Sequence, residues 1–481
     1  MKTQFLRALA VVLGAILFLP PMPLWATCGG GGGGGMGGAG VMGGADEPVY
    51  HVPWRIVKAS DPPVKEGLVV YWFPTGQREL EKSSLRNSRI LTLYASQCVT
   101  LGVADAAGPL GQKLASGEKL PVAVLAQPDN TVLGKAENKD GFLRVDQVEK
   151  LVESEVKKRD SAEKERLEDA KNRAKAGDKS GAIAELRQVM EQKCMFPNRA
   201  KDAAKELKKL GVDEAGQLFD APNFDAGVSA RMERTMREGL TAENSARYVE
   251  AERLYAEAHR MDPADATPLR YLGELYRHDI GDWDKARSTF EKILAMPADP
   301  LARAVALHGL GKMTIHEGEF KKGLALMERS VETFPLALAY RNLAVYWNSE
   351  GDAAKTDKYV GEALALAPKD PYNLVFAAVF LAENGHGEEA LKVARENEGL
   401  LPASYNLAAI FAQTGEREKA LELLRRHFFE YERYDAVRSK EMMEARVDAV
   451  FASLKSDPAF VSLTAGADGK LAPAKAMSER R

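Results

Sequence analysis

The chain has 481 residues, of which 45% are hydrophobic and 28% charged, and its formal net charge is −3. This length predicts more than one domain, the composition is ordinary for globular protein, and the charge balance gives no indication of nucleic-acid binding. The three cysteines, Cys28, Cys98 and Cys194, lack metal-ligand or redox-motif spacing, which excludes a disulfide framework, while one Cys98–Cys194 bridge stays open.

Residues 1–27 have the pattern of an export signal. Lys2 and Arg7 precede an apolar run from Ala8 to Leu19, which matches the charged and hydrophobic regions of a secretory signal peptide. The run is too short to span a bilayer comfortably, and no later segment reaches that length without charges. The protein is therefore expected outside the cytoplasm and without a transmembrane helix.

Residues 28–47 are rich in glycine and are predicted to form a flexible tether of roughly 20–25 Å r.m.s. length. Two cleavage sites remain open. Cleavage after Ala26 would release a soluble protein. Alternatively, Leu24 to Cys28 loosely resembles the lipobox of bacterial lipoproteins, although Trp25 and Thr27 depart from it, and this implies lipidation of Cys28.

Residues 48–158 alternate strand and helix patterns, which predicts an α/β domain. Leu68–Phe73 is a continuous apolar, β-rich run, typical of a buried central strand. Residues 77–97 have helical character throughout, and residues 145–156 have an amphipathic helical stripe. The remaining predicted elements are strands at 99–104, 122–126 and 131–135 and a short helix at 108–115.

This order of elements, with Pro121 just before the third strand, resembles the thioredoxin fold over its full length. The resemblance implies that Pro121 is the cis-proline of that family, beside a surface that can bind extended peptide. Redox-active members carry Cys-x-x-Cys where the Trp72 strand meets its helix, but no cysteine occurs between Cys28 and Cys98. Because disulfide exchange needs a low-pKa thiolate and a second, resolving thiol, the domain is expected to be redox-inactive.

Residues 159–225 are predicted to form a helical connector with a degenerate repeat. Gly177-Asp178 is followed by apolar residues at helical spacing, Ala182, Leu186 and Val189.

Residues 226–435 contain two series of landmarks that recur about every 34 residues. Prolines that end a second helix are separated by 34, 38, 33 and 34 residues, and glycines that turn the chain within a pair by 37, 33, 34 and 30. The chain resembles the tetratricopeptide-repeat family here, which implies an all-α solenoid of stacked helical pairs. The landmarks are Pro263, Pro297, Pro335, Pro368 and Pro402, and Gly281, Gly318, Gly351, Gly385 and Gly415.

Small residues are predicted where the two helices of a pair meet, at Ala251, Ala286, Gly323, Ala390 and Ala420, with the larger Thr356 as an exception. Residues 436–465 are expected to form a helical cap whose apolar stripe is Val447, Val450, Phe451 and Leu454. The tail, residues 466–481, is poor in apolar residues and is predicted to be disordered.

In this repeat family the first helix of each pair lines the concave face, so its polar residues are candidates for binding a peptide. The mostly basic character predicts an acidic peptide or a free C-terminus, although solvated positions without a role are the alternative. The carboxylate-clamp residues of chaperone-binding members are not reproduced. The candidates are Arg270, Glu274, Arg277, His308, Lys312, Arg341, Asn348, Tyr372 and Tyr405.

The predicted function is an exported scaffold that binds protein partners through its repeats. The seven histidines show no metal-ligand or triad spacing, so no catalytic, metal or cofactor site is predicted. Cys98 is expected to be a buried residue that behaves as a small hydrophobe. The alternatives are a thiol-dependent redox protein that uses Cys98, and a lipid-anchored structural component of the cell envelope.

Overall fold

A computed structural model describes residues 48–138, 140–214, 216–401, 404–431 and 435–468. The signal segment, the glycine-rich tether, Cys28 and residues 469–481 of the tail lie outside this part. Contacts divide the described residues into two compact units. The sheet unit comprises residues 48–272 and 288–307, and the repeat unit comprises residues 273–287 and 308–468. Within the described part, no helix is both long and apolar enough to cross a bilayer.

The sheet has five strands, β1 (Arg55–Ile56), β2 (Leu68–Phe73), β3 (Val99–Val103), β4 (Val122–Ala126) and β5 (Val132–Glu137). Their order is β1-β3-β2-β4-β5; β3 is parallel to β1 and β2, whereas β4 is antiparallel to β2 and β5. Strands β2 and β4 are buried along their whole length, as their continuous apolar sequences predict. The Leu120–Pro121 peptide bond before β4 is cis, as expected.

The helical character predicted for residues 77–97 is confirmed, but it is divided among three short segments. The chain forms α1 (Gln77–Lys82), a 3₁₀ turn (Ser84–Arg86) and α2 (Arg89–Ala95). Two serines explain the breaks, because their side chains bind backbone donors that a continuous helix would use: Ser83 accepts from the Leu85 N–H and Ser88 from the Leu91 N–H. Helix α3 (Pro109–Leu114) follows β3 as predicted.

The expected domain boundary at residue 158 falls inside one continuous helix, α4 (Val145–Lys175). Good helix formers continue beyond the apolar stripe without glycine or proline, so nothing stops the helix before Gly177, which has a φ of 88°. The first part of α4 packs on β4 and β5, and α4 also packs on α5 (Lys179–Glu191) and α6 (Pro197–Lys209). A small apolar cluster around Leu186 holds these three helices together.

The helices that follow have the expected pairing. First and second helices pack together in α7/α8, α13/α14, α15/α16 and α17/α18. All five predicted glycines between helices have left-handed φ values of 74–93°. The bounds are α7 (Ala226–Asn244), α8 (Tyr248–Met261), α9 (Thr267–Glu274), α10 (Trp283–Ala295), α11 (Pro300–His316), α12 (Phe320–Thr333), α13 (Ala337–Ser349), α14 (Ala353–Leu366), α15 (Pro371–Glu383), α16 (Gly387–Asn397), α17 (Tyr405–Gln413) and α18 (Arg417–Arg426).

Small residues are buried at the predicted close contacts between paired helices. The tightest case is Gly323, where an added Cβ would lie 2.5 Å from the Gly311 carbonyl oxygen and 2.6 Å from Ile315 Cγ1. Gly361 on α14 has no atom within 4 Å of such a Cβ. The prediction of a small residue at a close contact is therefore confirmed at Gly323. By contrast, the structure has room for a larger side chain at Gly361.

The C-terminal region consists of α19 (Asp435–Val447), a 3₁₀ helix (Ala449–Leu454) and α20 (Pro458–Leu463). Phe451 and Leu454 are buried as expected for a cap, whereas Val447 is 76% exposed. The prediction for Val447 is wrong because α19 ends there and Asp448 begins a separate 3₁₀ helix, which changes the direction of the apolar stripe.

Candidate functional site

Seven of the nine predicted peptide-binding residues are buried, so the alternative of solvated positions without a role is wrong for them. Tandem packing of the helices and pairing among polar side chains remove these groups from water. Only Asn348 and Tyr372 are half-buried. The buried residues are Arg270, Glu274, Arg277, His308, Lys312, Arg341 and Tyr405.

In the repeat unit, Glu274 and Arg277 form a buried ion pair. Arg277 Nη2 donates to Glu274 Oε2 at 2.7 Å, and His278 Nε2 lies 3.4 Å from the same oxygen. Burial raises the pKa of Glu274, but Arg277 and His278 outweigh it and lower that pKa to about 2. Glu274 is therefore ionised at neutral pH and already has two cationic or polar partners.

The neighbouring histidines are held neutral. Burial, followed by the charge of Arg277, lowers the pKa of His278 to about 4. The same two causes lower the pKa of His308 well below its usual value. His308 Nε2 lies 2.8 Å from Asn342 Nδ2, and the charge of Lys312 acts on both imidazoles. Four of the predicted residues thus belong to one buried polar cluster.

The remaining candidates of the repeat unit have partners on other helices. Arg341 donates to Asn373 Oδ1 and lies 3.9 Å from Asp370 Oδ2. Asn348 Nδ2 donates to Glu383 at 3.2 Å. The Tyr405 hydroxyl donates to Asp448 Oδ2 at 3.2 Å.

In the sheet unit, Arg270 stacks over the ring of Tyr271 at 4.6 Å. Burial raises the pKa of Asp299 to about 6 although the positive charge of Arg270 opposes this, and burial with the charges of Arg270 and Arg86 lowers that of His51 to about 3. Arg270 is therefore part of a buried network in this unit.

A second buried cluster, around Arg89, was not predicted. Arg89 is a charged residue on an otherwise apolar helix, and that pattern was the only sequence signal for it. Its Nε donates to Asp265 Oδ2 at 2.8 Å, and its Nη2 donates to Asp262. Its Nη1 donates to the Asn223 carbonyl and the Ser229 hydroxyl, both at 2.8 Å. All three nitrogen atoms of this guanidinium therefore donate hydrogen bonds inside the protein.

The contacts around Arg89 join the sheet to the helices that follow it. The Tyr271 hydroxyl donates to the Val49 carbonyl at 3.0 Å, and Asn87 Nδ2 donates to Glu233 Oε1 at 3.0 Å. Cys98 and Cys194, left open by the sequence, form a disulfide with a Cα–Cα distance of 5.9 Å. The expectation of a free thiol at Cys98 is therefore wrong.

These arrangements offer no set of three or more His, Cys, Asp and Glu side chains that could hold a metal ion within the described ranges. The charged groups are paired with one another, which suits positioning of helices better than proton transfer.

Comparison with known proteins identifies a tetratricopeptide-repeat family model that matches residues 269–304. This confirms the repeat prediction for α9, α10 and the start of α11. The chain is 25% identical over 232 residues to a curated Arabidopsis thaliana protein, the CTR9 homolog, with coverage of 38% of this chain and 21% of that protein. The chain thus spans about a fifth of the length of that relative.

Two solved structures are similar to parts of the chain. The first is PilW, a type IV pilus biogenesis factor, at 17% identity and a TM-score of 0.30, covering 52% of this chain and 98% of PilW. The second is the Cut9–Hcn1 hetero-tetramer of the APC/C, at 14% identity and a TM-score of 0.35, covering 60% of this chain and 56% of the other.

Proposed function

We propose that the protein is an exported scaffold that binds protein or peptide partners on the first helices of its repeats. The observation that carries this proposal is the direct packing of α13 against α15 and of α15 against α17. Three successive first helices thereby form one continuous surface. Surfaces of this kind are what stacked helical repeats use for binding. No catalytic role and no cofactor are part of the proposal.

Asn348 and Tyr372 are the side chains that we assign to partner contact, because they combine polar groups with partial exposure. Lys312 on α11 and Arg341 on α13 are buried within polar networks, and they add positive charge to the first helices, which favours an acidic partner. The buried members, Glu274, Arg277 and His308, are assigned to positioning of the helices. Arg270 and Tyr405 are buried as well and receive the same role.

We also propose that residues 48–158 are a redox-inactive, thioredoxin-like module. The strand order with its parallel and antiparallel neighbours, and the cis bond before Pro121, support this assignment. Redox inactivity is supported by the cysteine-free turn from Pro74 to Glu79 and by the engagement of Cys98 in a disulfide. A thiolate nucleophile would have to be released from that bond first.

Export is supported by the signal pattern of residues 1–27 and by the disulfide, since such bonds persist in oxidising compartments. Lipidation of Cys28 would make the protein a membrane-anchored form of the same scaffold. Detergent partitioning and Cys28→Ala test the anchor: release of the variant from membranes supports lipidation. A mature N-terminus at Thr27 without a lipid adduct would establish simple secretion.

Capture of partners from an envelope extract by the full chain tests the scaffold function. We expect a discrete set of partners that is lost with Asn348→Ala combined with Tyr372→Ala. The matched control is Glu388→Ala with Glu389→Ala, on the exposed side of the second helix α16. Circular dichroism confirms that both variants keep their helicity. Equal capture by both double variants would show that partners do not bind these first helices.

The alternative function, a thiol-dependent redox protein, depends on Cys98, which is bonded to Cys194, and it has its own test. The purified protein is expected not to accelerate reduction of insulin by a dithiol. Turnover that disappears in Cys98→Ser would instead establish the thiol-dependent enzyme.

A further inference from the structure

Helix α19 and the residue after it carry three carboxylates. Glu441 and Glu444 are three residues apart on the same side of the helix, whereas Asp448 follows the end of α19 in extended backbone and begins the next 3₁₀ helix. An acidic ligand is what the basic first helices of the repeats were predicted to bind.

Each of these three carboxylates contacts a residue of the helical pairs. Glu441 Oε2 is 3.0 Å from His427 Nε2, directly after α18, and Glu444 Oε1 is 3.6 Å from His316 Nδ1, at the end of α11. Asp448 accepts the hydrogen bond of Tyr405 at the start of α17. Glu444 on α19 and Asp448 just after it therefore contact first helices from two separate pairs.

The electrostatics at Tyr405 support this arrangement. Its pKa is raised well above the ordinary value, first by burial and then by the charges of Asp448, Glu444 and Glu441. All three carboxylates therefore act on one hydroxyl of a first helix.

Helix α19 is seated through apolar residues as well, but it is not an interior helix. Met442 and Ala445 are buried in one apolar cluster with Phe451. The side chains on the other side, Met443 and Val447, are 48% and 76% exposed. The helix thus has one side on the repeats and one side in solvent.

We propose that α19 is an internal ligand of the repeat surface, and that it occupies the place of an acidic amphipathic helix from a partner protein. This inference rests on the proposed scaffold function and specifies the chemistry of the partner. The partner helix has carboxylates at positions i and i+3 and apolar residues at i+1 and i+4, as in Glu441, Met442, Glu444 and Ala445. Helix-in-groove recognition by such anchors is common among proteins.

Because α19 belongs to the same chain as the repeats, it competes with an external partner for the repeat surface. A segment tethered within the same chain has a high effective concentration, so a partner in solution binds weakly until α19 leaves. Weakening of the internal contact should therefore strengthen binding of the same sequence supplied as a separate peptide.

The test uses the full chain and a fluorescent synthetic peptide of residues 435–448. Glu444→Lys removes one internal contact at a side chain that is 46% exposed, so the fold is expected to persist. We expect the peptide to bind this variant about fivefold more tightly than the unmodified protein, the size expected for a half-exposed pair. Glu388→Lys, at an exposed position of α16, is the matched control and should leave the affinity unchanged.

Hydrogen exchange on the unmodified protein provides a second measurement. Saturating peptide should accelerate exchange of the α19 amides and leave those of α20 unchanged, because only α19 is displaced. A peptide with lysine at both glutamate positions, 441 and 444, should have neither effect.

Equal peptide affinity for the unmodified protein and Glu444→Lys, with unchanged exchange of α19, would overturn the proposal and identify α19 as a structural cap. That outcome leaves the scaffold function intact if partner capture still depends on Asn348 and Tyr372. Conversely, peptide displacement without such capture would support the internal ligand and contradict the wider function.

Discussion

The two units contain buried arginine clusters that differ in the range over which they act. In the sheet unit, Arg89 pairs with Asp262 and Asp265, which are 173 and 176 positions away. In the repeat unit, Arg277 pairs with Glu274, three positions away on consecutive helical turns. The first cluster fixes distant parts of the chain against one another, whereas the second satisfies charges within one helical segment.

This difference indicates what each cluster does for the protein. The Arg89 cluster joins the sheet to α7 and to the residues after α8, and the Cys98–Cys194 bond joins the sheet to the connection between α5 and α6. These elements are therefore parts of one unit instead of modules on a linker. The Glu274–Arg277 cluster lets charged residues remain inside packed first helices. Buried ions are costly unless paired, and both clusters satisfy that requirement.

The largest effect is expected from Arg89→Met. It leaves the carboxylates of Asp262 and Asp265 buried without their cation, at a cost of about 3–5 kcal/mol in unfolding free energy. Denaturant unfolding measures the loss. Arg247→Met is the control, because its side chain is 53% exposed and pairs only at the surface. A loss similar to that of the control would contradict the structural role of Arg89.

Removal of the disulfide is expected to cost slightly less. The bond closes a loop with a sequence separation of 96 residues, and removal of such a bond destabilises proteins by about 2–4 kcal/mol. Cys98→Ser with Cys194→Ser should lower the unfolding midpoint, and a dithiol should do the same to the unmodified protein. If the Arg89 cluster and the disulfide stabilise the same junction between the sheet and the helices that follow it, the stability losses caused by Arg89→Met and by the cysteine changes should be non-additive. Additive losses would show that they act independently.

Arg277→Met tests the local cluster. Because Glu274 loses a buried partner, we expect destabilisation of about 3 kcal/mol, at the low end of the range for buried pairs, since His278 remains beside the carboxylate. The effect follows from the burial of Arg277, which helical spacing alone did not indicate. Tolerance of Arg277→Met in thermal unfolding would contradict a structural role for this ion pair.

The remaining effects concern pH and are smaller for each pH unit than the losses above. His278 has a pKa of about 4 in the folded protein and 6.5 when unfolded, so the unfolded state gains a proton first. Its contribution to stability is therefore lost as the pH falls from 6.5 to 4, by at most about 1.4 kcal/mol per pH unit. Asp299 has the opposite effect on stability. Burial raises its pKa to about 6 in the folded protein, so its contribution to stability is lost as the pH rises from 3.8 to 6.

Two variants separate these contributions in unfolding measured from pH 7 to pH 4. His278→Gln should flatten the loss of stability on acidification, whereas Asp299→Asn should steepen it. Asparagine can still accept from the Leu301 and Ala302 amides that Asp299 now caps, so helix α11 keeps its start. Identical pH profiles for both variants would show that other groups dominate.

The sequence by itself determined the local features. Glycine landmarks predicted the turns because left-handed φ values favour glycine, and continuous apolar runs predicted the buried strands β2 and β4. Gly323 was identified as a close contact from its place in the repeat. These properties depend on one residue and its near neighbours, so a single sequence carries them.

Tertiary structure alone decided which polar groups became buried and with what partners. Helical spacing placed Arg277 and His308 on first helices, but neither their burial nor their cluster followed from it. The partners of Arg89 and the Cys98–Cys194 bond depend on segments far apart in sequence that meet only after folding. The same holds for α19, where the Glu444 carboxylate lies 3.6 Å from His316, a residue 128 positions earlier in the chain (444 − 316). Sequence periodicity reports which face of a helix is polar, but the chain must fold before that face meets water, an opposite charge or another helix.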